Sequence, residues 1–338
     1  MPVGPINGKL SLMAMRDARK KWHIPATIKM PRGIFLLLMG AFALLLVGAL
    51  VAVGSSEGLR RTISSHPFLS SFKLPQEMSF AGQPVPLDHW QVRERIEYEF
   101  YQFLGNEGES IIIAKRTGRC FPVVERMLRE AGLPDDLKFV LLVESKCVSS
   151  ATSAAKAVGP WQFLSSTGRR FALESNYWKD ERRDLERSTE AAIKYLQVLH
   201  GLFDDWYLAL AAYNAGDQRV RSTLRDQKVE DYWKAHFSSE TMRYIPRILA
   251  VKEIFSRPDR YLGLTKEELY APMPTEVVTV RIPRGQEHLA NLAEEYGSYF
   301  LELKLLNPQI RKDHLPAGTH QIRVPQQKSP ACPEGCDS

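Results

Sequence analysis

The sequence predicts a mainly α protein with a small βααβ unit near its C-terminus and one transmembrane helix near its N-terminus. Three observations predict this. Apolar residues recur at helical spacing from about residue 88 to 258, and no convincing strand interrupts them. A β-branched run, Val277-Val278-Thr279-Val280-Arg281-Ile282, appears only after Pro272-Met273-Pro274. Ile34–Val53 is an apolar run without a single charge.

Residues 1–33 form a polar, basic leader. Its seven Lys and Arg residues stand against Asp17 alone and account for the whole net charge of +6. The rest of the chain is balanced, so bulk charge offers no basic face for nucleic acid. Residues 34–53 follow as the anchor. Twenty residues in a helix span about 30 Å, the thickness of a bilayer core. Lys29 and Arg32 beside the run place the leader in the cytoplasm and translocate the remainder. A cleaved signal peptide with a site near Ala52-Val53-Gly54 is the competing reading. The length of the apolar run and of the basic leader favours an uncleaved anchor.

Residues 54–87 mix Ser, Gly and Pro and read as a linker or collar. A helical domain is expected over 88–262. Asp88 is read as a cap before the stripe Val92, Ile96, Phe100 and Phe103, which Gly105-Asn106-Glu107-Gly108 breaks. A helix resumes at Ser110, and Pro122 is expected to open another, ending at Gly132. Leu133-Pro134-Asp135-Asp136 starts the next helix. Ser188 is read as the cap of a helix carrying Ala192, Tyr195, Leu196 and Leu199. Trp206, Leu210 and Tyr213 continue the pattern to Gly216, and Tyr244–Phe255 forms a last helix that Pro258 stops. The βααβ unit spans 275–326, and residues 327–338 form a tail. Exported cysteines can pair, and the two candidate disulfides are Cys120–Cys147 and Cys332–Cys336; free buried thiols are the other reading for the first pair.

The chemistry is suggested by one acid in an apolar helix. Phe139-Val140-Leu141-Leu142-Val143 runs straight into Glu144-Ser145. A carboxyl among such residues is costly to ionise, so its pKa rises toward neutrality, which suits a general acid. Gly159-Pro160-Trp161-Gln162-Phe163 and Ala211-Ala212-Tyr213-Asn214-Ala215-Gly216 follow in order. Glycosidases ordinarily use two carboxylates. None lies between Glu144 and Gln162, which disfavours a two-acid route and leaves a second acid to come from elsewhere in the fold, such as Asp180 or Glu181. No His-Glu-x-x-His pattern occurs, and neither a metal nor a cofactor is expected.

The ordered set Glu-Ser, Gly-x-x-Gln, Ala-Tyr-Asn-Ala-Gly and Glu240-Thr241-x-x-Tyr244-x-Pro246 resembles the soluble-lytic-transglycosylase-like (SLT) family, and within it the D-type membrane-bound lytic murein transglycosylases. The resemblance implies a lysozyme-like helical catalytic domain. It implies Glu144 as the catalytic acid/base and Ser145, Ser153, Gln162, Tyr213, Asn214 and Tyr244 as substrate-site residues. The family commonly continues Glu-Ser with an aromatic and Asn-Pro, where this chain has Lys146-Cys147-Val148. The βααβ unit resembles a LysM module through Gly285, Leu289, Tyr296-Gly297, Leu306-Asn307 and Ile322-x-Val324-Pro325, with Gln286-Glu287-His288 replacing the usual start. The implied protein is a periplasmic peptidoglycan lytic transglycosylase anchored in the inner membrane, whose partners are glycan strands and the membrane. A hydrolytic muramidase and a non-catalytic wall-binding scaffold are the alternatives.

Overall fold

A computed structural model describes residues 69–326. The expected leader, anchor 34–53, tail 327–338 and Cys332–Cys336 pair lie outside the described residues. Among the described residues no helix is long and apolar enough to cross a membrane.

Ser79–Phe80 (β1) and Gln83–Pro84 (β2) pair antiparallel around Ala81 and Gly82, both at positive φ. Such a two-residue turn matches the twist of a hairpin. Leu74, Phe80, Val85 and Leu87 are buried in the main core. The described part of the expected linker is therefore a packed collar: its Gly and Pro residues serve a tight turn, and its apolar residues are spent inward.

The helical domain begins with Trp90–Gly105 (α1), which buries Val92, Ile96, Phe100 and Leu104. His89, not Asp88, occupies the N-cap position. Glu107–Glu130 (α2) is one continuous helix with Pro122 inside it, correcting the expectation that Pro122 opens a new helix. Proline costs a helix about 3 kcal/mol. Here burial of Phe121, Val124 and Leu128 on either side outweighs that local preference. A 3-10 turn at Asp135–Leu137 leads into Lys138–Ser145 (α3).

After the short helix Ser165–Arg170 (α4) comes Leu185–Phe203 (α5). Its cap is Asp184, whose carboxylate accepts from the Arg187 amide at 2.9 Å; Ser188 lies one turn inside, correcting the expected cap. Trp206–Ala215 (α6) is buried at every position from Trp206 to Ala212, as befits a central helix apolar all round. Asp217–Gln227 (α7) and Ser239–Phe255 (α8) follow. The α8 helix packs against α1, α3 and α6, which makes it the axis on which the site is built. The α8 helix ends at Phe255, before Pro258 as expected, but it is not the last of the domain: Pro258 opens Pro258–Leu262 (α9), at the first-turn position where its missing N–H costs nothing.

The C-terminal unit is Thr275–His288 (β3), Leu289–Glu295 (α10), Phe300–Leu306 (α11) and His314–Pro325 (β4). The two strands pair antiparallel from Thr275↔Pro325 to His288↔His314, with a register shift between Ile282 and Gln286. It has its own small core of Val280, Ile282, Leu289, Leu292, Leu303, Ile322 and Val324. Both units nevertheless belong to one compact body.

Cys120 on α2 and Cys147 just after α3 are joined as a disulfide, with Cα atoms 6.3 Å apart. The bond closes a loop of 27 residues that contains Glu144. On the chain-entropy account a loop of that size is worth about 3 kcal/mol. Reduction is expected to lower the melting temperature by roughly 5–10 °C. Calorimetry with and without reductant checks it, and an unchanged transition would show that the bond constrains nothing.

Candidate active site

Glu144 stands at the end of α3, behind the buried run Phe139, Val140, Leu141 and Leu142. The helix stops because Lys146 takes a left-handed conformation, and Cys147 repeats it under the hold of its disulfide. Glu144 is partly accessible as a residue, but its carboxyl is withdrawn from water. Desolvation raises its pKa from 4.5 to about 7; the hydrogen bond from Tyr244 opposes the rise, the charge of Glu240 adds to it and that of Arg247 subtracts.

The Tyr244 hydroxyl donates to Glu144 Oε1. Tyr244 lies on α8, 4% exposed, and burial with the nearby Glu144 charge holds its phenol protonated far above the usual range. Tyr213, near the end of α6, is held protonated by the same causes. Its hydroxyl donates to the Trp161 carbonyl at 2.7 Å, not to Glu144. The two tyrosines thus divide the work: one grips the acid, the other fixes the turn that carries Gln162.

That turn spans Val158–Phe163. The Val158 and Phe163 main chains exchange hydrogen bonds of 3.0 and 3.1 Å. Gln162 sits at φ +49°, and its side-chain amide donates to the Gly159 carbonyl at 2.8 Å and the Ala151 carbonyl at 3.3 Å. Trp161 is fully buried and donates to Thr189 Oγ1 at 2.9 Å, so it is core rather than a sugar platform. Asn214 Oδ1 accepts from Thr241 Oγ1 at 2.9 Å, tying the end of α6 to the start of α8. Ser153 is exposed on the loop before the turn, where its hydroxyl accepts from the Ala157 amide at 3.1 Å. Ser145 is the one expected site residue that the fold turns away. It is 6% exposed, and its hydroxyl donates back to the Leu141 carbonyl at 3.2 Å, a back-bond within the last turn of α3, whose cap is Lys146.

The second acids considered from sequence are both engaged. Asp180 accepts two hydrogen bonds from the Arg182 guanidinium, at 2.9 and 2.8 Å. Glu181 pairs with Lys179 and accepts from the Glu174 amide, both at 2.8 Å. Reading the sequence missed Glu99 and Arg247. Buried Glu99 on α1 holds Arg247 at 3.0 Å and also binds Arg243, so a fixed cation faces Glu144 from α8. A legible signal existed: Glu99 falls inside the apolar stripe of α1, the same anomaly that marks Glu144. Among the described residues no three His, Cys, Asp or Glu side chains converge as a metal site would require.

Removing the Tyr244 hydroxyl takes away the contact that lowers the pKa of Glu144. Tyr244→Phe is therefore expected to move the alkaline limb of kcat/KM above pH 7 while lowering its plateau. A pH–rate profile checks this, and a limb moving downward would contradict the hydrogen bond's sign.

A buried carboxyl paired with a phenol, beside a turn pinned by a second phenol, defines a class that the comparisons name. Residues 122–236 match the Transglycosylase SLT domain, and residues 276–334 match the LysM-like domain of lytic transglycosylase MltD. The chain thus carries an SLT domain followed by an MltD-type LysM-like domain. Membrane-bound lytic murein transglycosylase D of Escherichia coli (strain K12) is 30% identical over 242 residues, covering 69% of this chain and 52% of that protein. The chain spans about half the length of the curated relatives it matches. Among solved structures, an inactive mutant of lytic transglycosylase Slt from Pseudomonas aeruginosa is 22% identical, covering 45% of this chain and 26% of that one at a TM-score of 0.33. The 70 kDa soluble lytic transglycosylase from Escherichia coli is 20% identical over the same shares at the same TM-score.

Proposed function

We propose that the protein is a peptidoglycan lytic transglycosylase that cleaves the β-1,4 bond between N-acetylmuramic acid and N-acetylglucosamine without water. The observation that carries the reading is the Glu144 carboxyl: desolvated, held by Tyr244 and raised to about 7. Such a group can give a proton and take one back near neutral pH. Protonated Glu144 delivers its proton to the bridging oxygen as the bond to the muramyl anomeric carbon breaks. The substrate's own 2-acetamido group stabilises the cation. Glu144, now ionised, accepts the proton of the muramyl 6-hydroxyl, whose oxygen closes on the anomeric carbon. One carboxyl acts twice, and the product is a 1,6-anhydromuramyl end. Asp180 and Glu181 are held in ion pairs, so neither is offered as the second acid of a two-acid hydrolysis.

Gln162, Tyr213, Asn214, Tyr244 and Ser153 make up the substrate side, with Gln162 contacting the sugar next to the scissile bond. Ser145 is turned back onto the last turn of α3. The helical domain over 88–262 does the cutting, and the LysM-like domain over 275–326 accompanies it. The chain is placed in the periplasm by an uncleaved single-pass anchor at 34–53, a reading supported by the apolar run and by the membrane-bound relative. Mass spectrometry of digested murein tests the reaction. Anhydro ends one water lighter than reducing ends are expected; reducing ends alone would make the protein a muramidase.

A further inference from the structure

Segment 174–186 is a wall shared by the helical domain and the LysM-like unit. From one side the LysM-like unit grips it by main chain and by charge. The Asp180 amide donates to the Gln309 carbonyl and the Arg311 amide to the Trp178 carbonyl, each at 2.8 Å, around a bridge between Lys179 and Ile310. The Arg311 guanidinium donates to the Asn176 carbonyl at 2.6 Å. Arg323 binds Asp184, the cap of α5, and Glu186 at 2.7 Å. Loose tethering of a module would need none of these contacts.

From the other side the same wall holds the turn that carries Gln162. Arg182 is 7% exposed. Its guanidinium forks onto both oxygens of Asp180, and its remaining nitrogen donates to the Phe163 carbonyl at 3.1 Å. Gly159 lies so close to Arg182 that a Cβ there would fall 1.7 Å from the Arg182 carbonyl oxygen. Gln162 meanwhile holds a left-handed backbone, which a non-glycine residue keeps only when its surroundings over-determine it. Asp180 is the pivot: its amide is held by the LysM-like unit, and its carboxylate aims Arg182 at the turn.

We propose that the LysM-like unit is a docked brace for the catalytic cleft, and that Arg182 is a positioning residue through which it sets the Gln162 turn. The proposal rests on Gln162 being a glycan contact. Because the brace acts on the sugar-binding turn and not on Glu144, loosening it should weaken substrate binding and spare the chemistry.

The full chain is assayed on soluble, uncrosslinked glycan strands well below its melting temperature. Arg311→Ala and Arg323→Ala, which remove contacts to segment 174–186, are expected to raise KM about fivefold, the worth of one ordinary hydrogen bond, with kcat and the pH profile held. Arg182→Lys, which keeps the charge and loses the fork, should do the same. Each docking variant combined with Gln162→Ala should show no further rise, because both act through one contact. A docking variant that lowers the melting temperature but leaves KM alone, or whose effect multiplies with that of Gln162→Ala, overturns the proposal. If Gln162→Ala itself leaves KM unchanged, the glycan-contact reading fails and takes this one with it. If Gln162→Ala raises KM beside silent docking variants, the brace alone is refuted.

Discussion

Glu144→Gln is expected to abolish cutting while making the folded protein more stable at alkaline pH. A general acid contributes on the order of 100- to 10,000-fold, and here one group serves both proton transfers, so a loss of at least about 1000-fold is expected. The stability effect has a definite sign. The carboxyl is raised from 4.5 to about 7 on folding, so between those values the folded chain binds more protons than the unfolded one. Its contribution is fully present below pH 4.5 and is lost as pH rises through 7. The difference in pKa corresponds to about 3 kcal/mol, most of it the cost of holding an ionised group out of water. A glutamine never ionises. The melting temperature of Glu144→Gln relative to wild type should therefore climb from pH 4.5 to pH 7 and level off above. A difference that does not change with pH would mean that Glu144 is solvated, and the proposed chemistry would go with it. In the wild type, kcat/KM should fall about tenfold per pH unit above pH 7, where the acid is lost.

Gly159→Ala is the second large effect expected. Gly159 sits at φ +88°, where a side chain is strained, and the built Cβ would meet the Arg182 carbonyl oxygen at 1.7 Å. That neighbour is backbone and cannot swing aside. Gly132 separates the two costs: it also lies at positive φ, +66°, but nothing is within 4 Å of its Cβ position. Gly132→Ala should cost about 1 kcal/mol, from backbone strain alone. Gly159→Ala should cost at least about 3 kcal/mol, because the turn or segment 180–183 must move as well. Chemical denaturation of the two variants measures the difference. Equal losses would show that the turn is not packed on Arg182.

Much of the fold was legible because apolar periodicity survives any tertiary context. The stripe Val92, Ile96, Phe100 follows from spacing alone, as does the end of α6 at Gly216. The failures share one cause. Pro122 lies inside a helix because burial on both sides of it outweighs a local preference. The cap of α5 is Asp184 rather than Ser188, a choice between two capable residues that local sequence does not make. Residues 74–87 read equally as linker or collar from their turn residues, and only the burial of Leu74, Phe80, Val85 and Leu87 makes them a collar.

For the site, Glu144 alone reads as a surface helix residue; the glutamine turn and the Tyr-Asn pair following it in order are what mark it as the acid. The division of labour between the phenols was not legible. Tyr213 and Tyr244 are equally capable donors, and only the packing of α8 against α3 puts the hydroxyl of Tyr244 on Glu144 while that of Tyr213 reaches Trp161.

Residue types and their order thus determined, without coordinates, that one carboxyl would be forced out of water and that a glutamine turn and a Tyr-Asn pair would accompany it. These are properties of composition along a helix, where the side chain's surroundings are set by its own neighbours. Which partner holds the acid and how the C-terminal unit is held against the helical domain were decided by tertiary structure. Those contacts join residues about 100 positions apart or more in the chain, and only the closed core sets the distances between them.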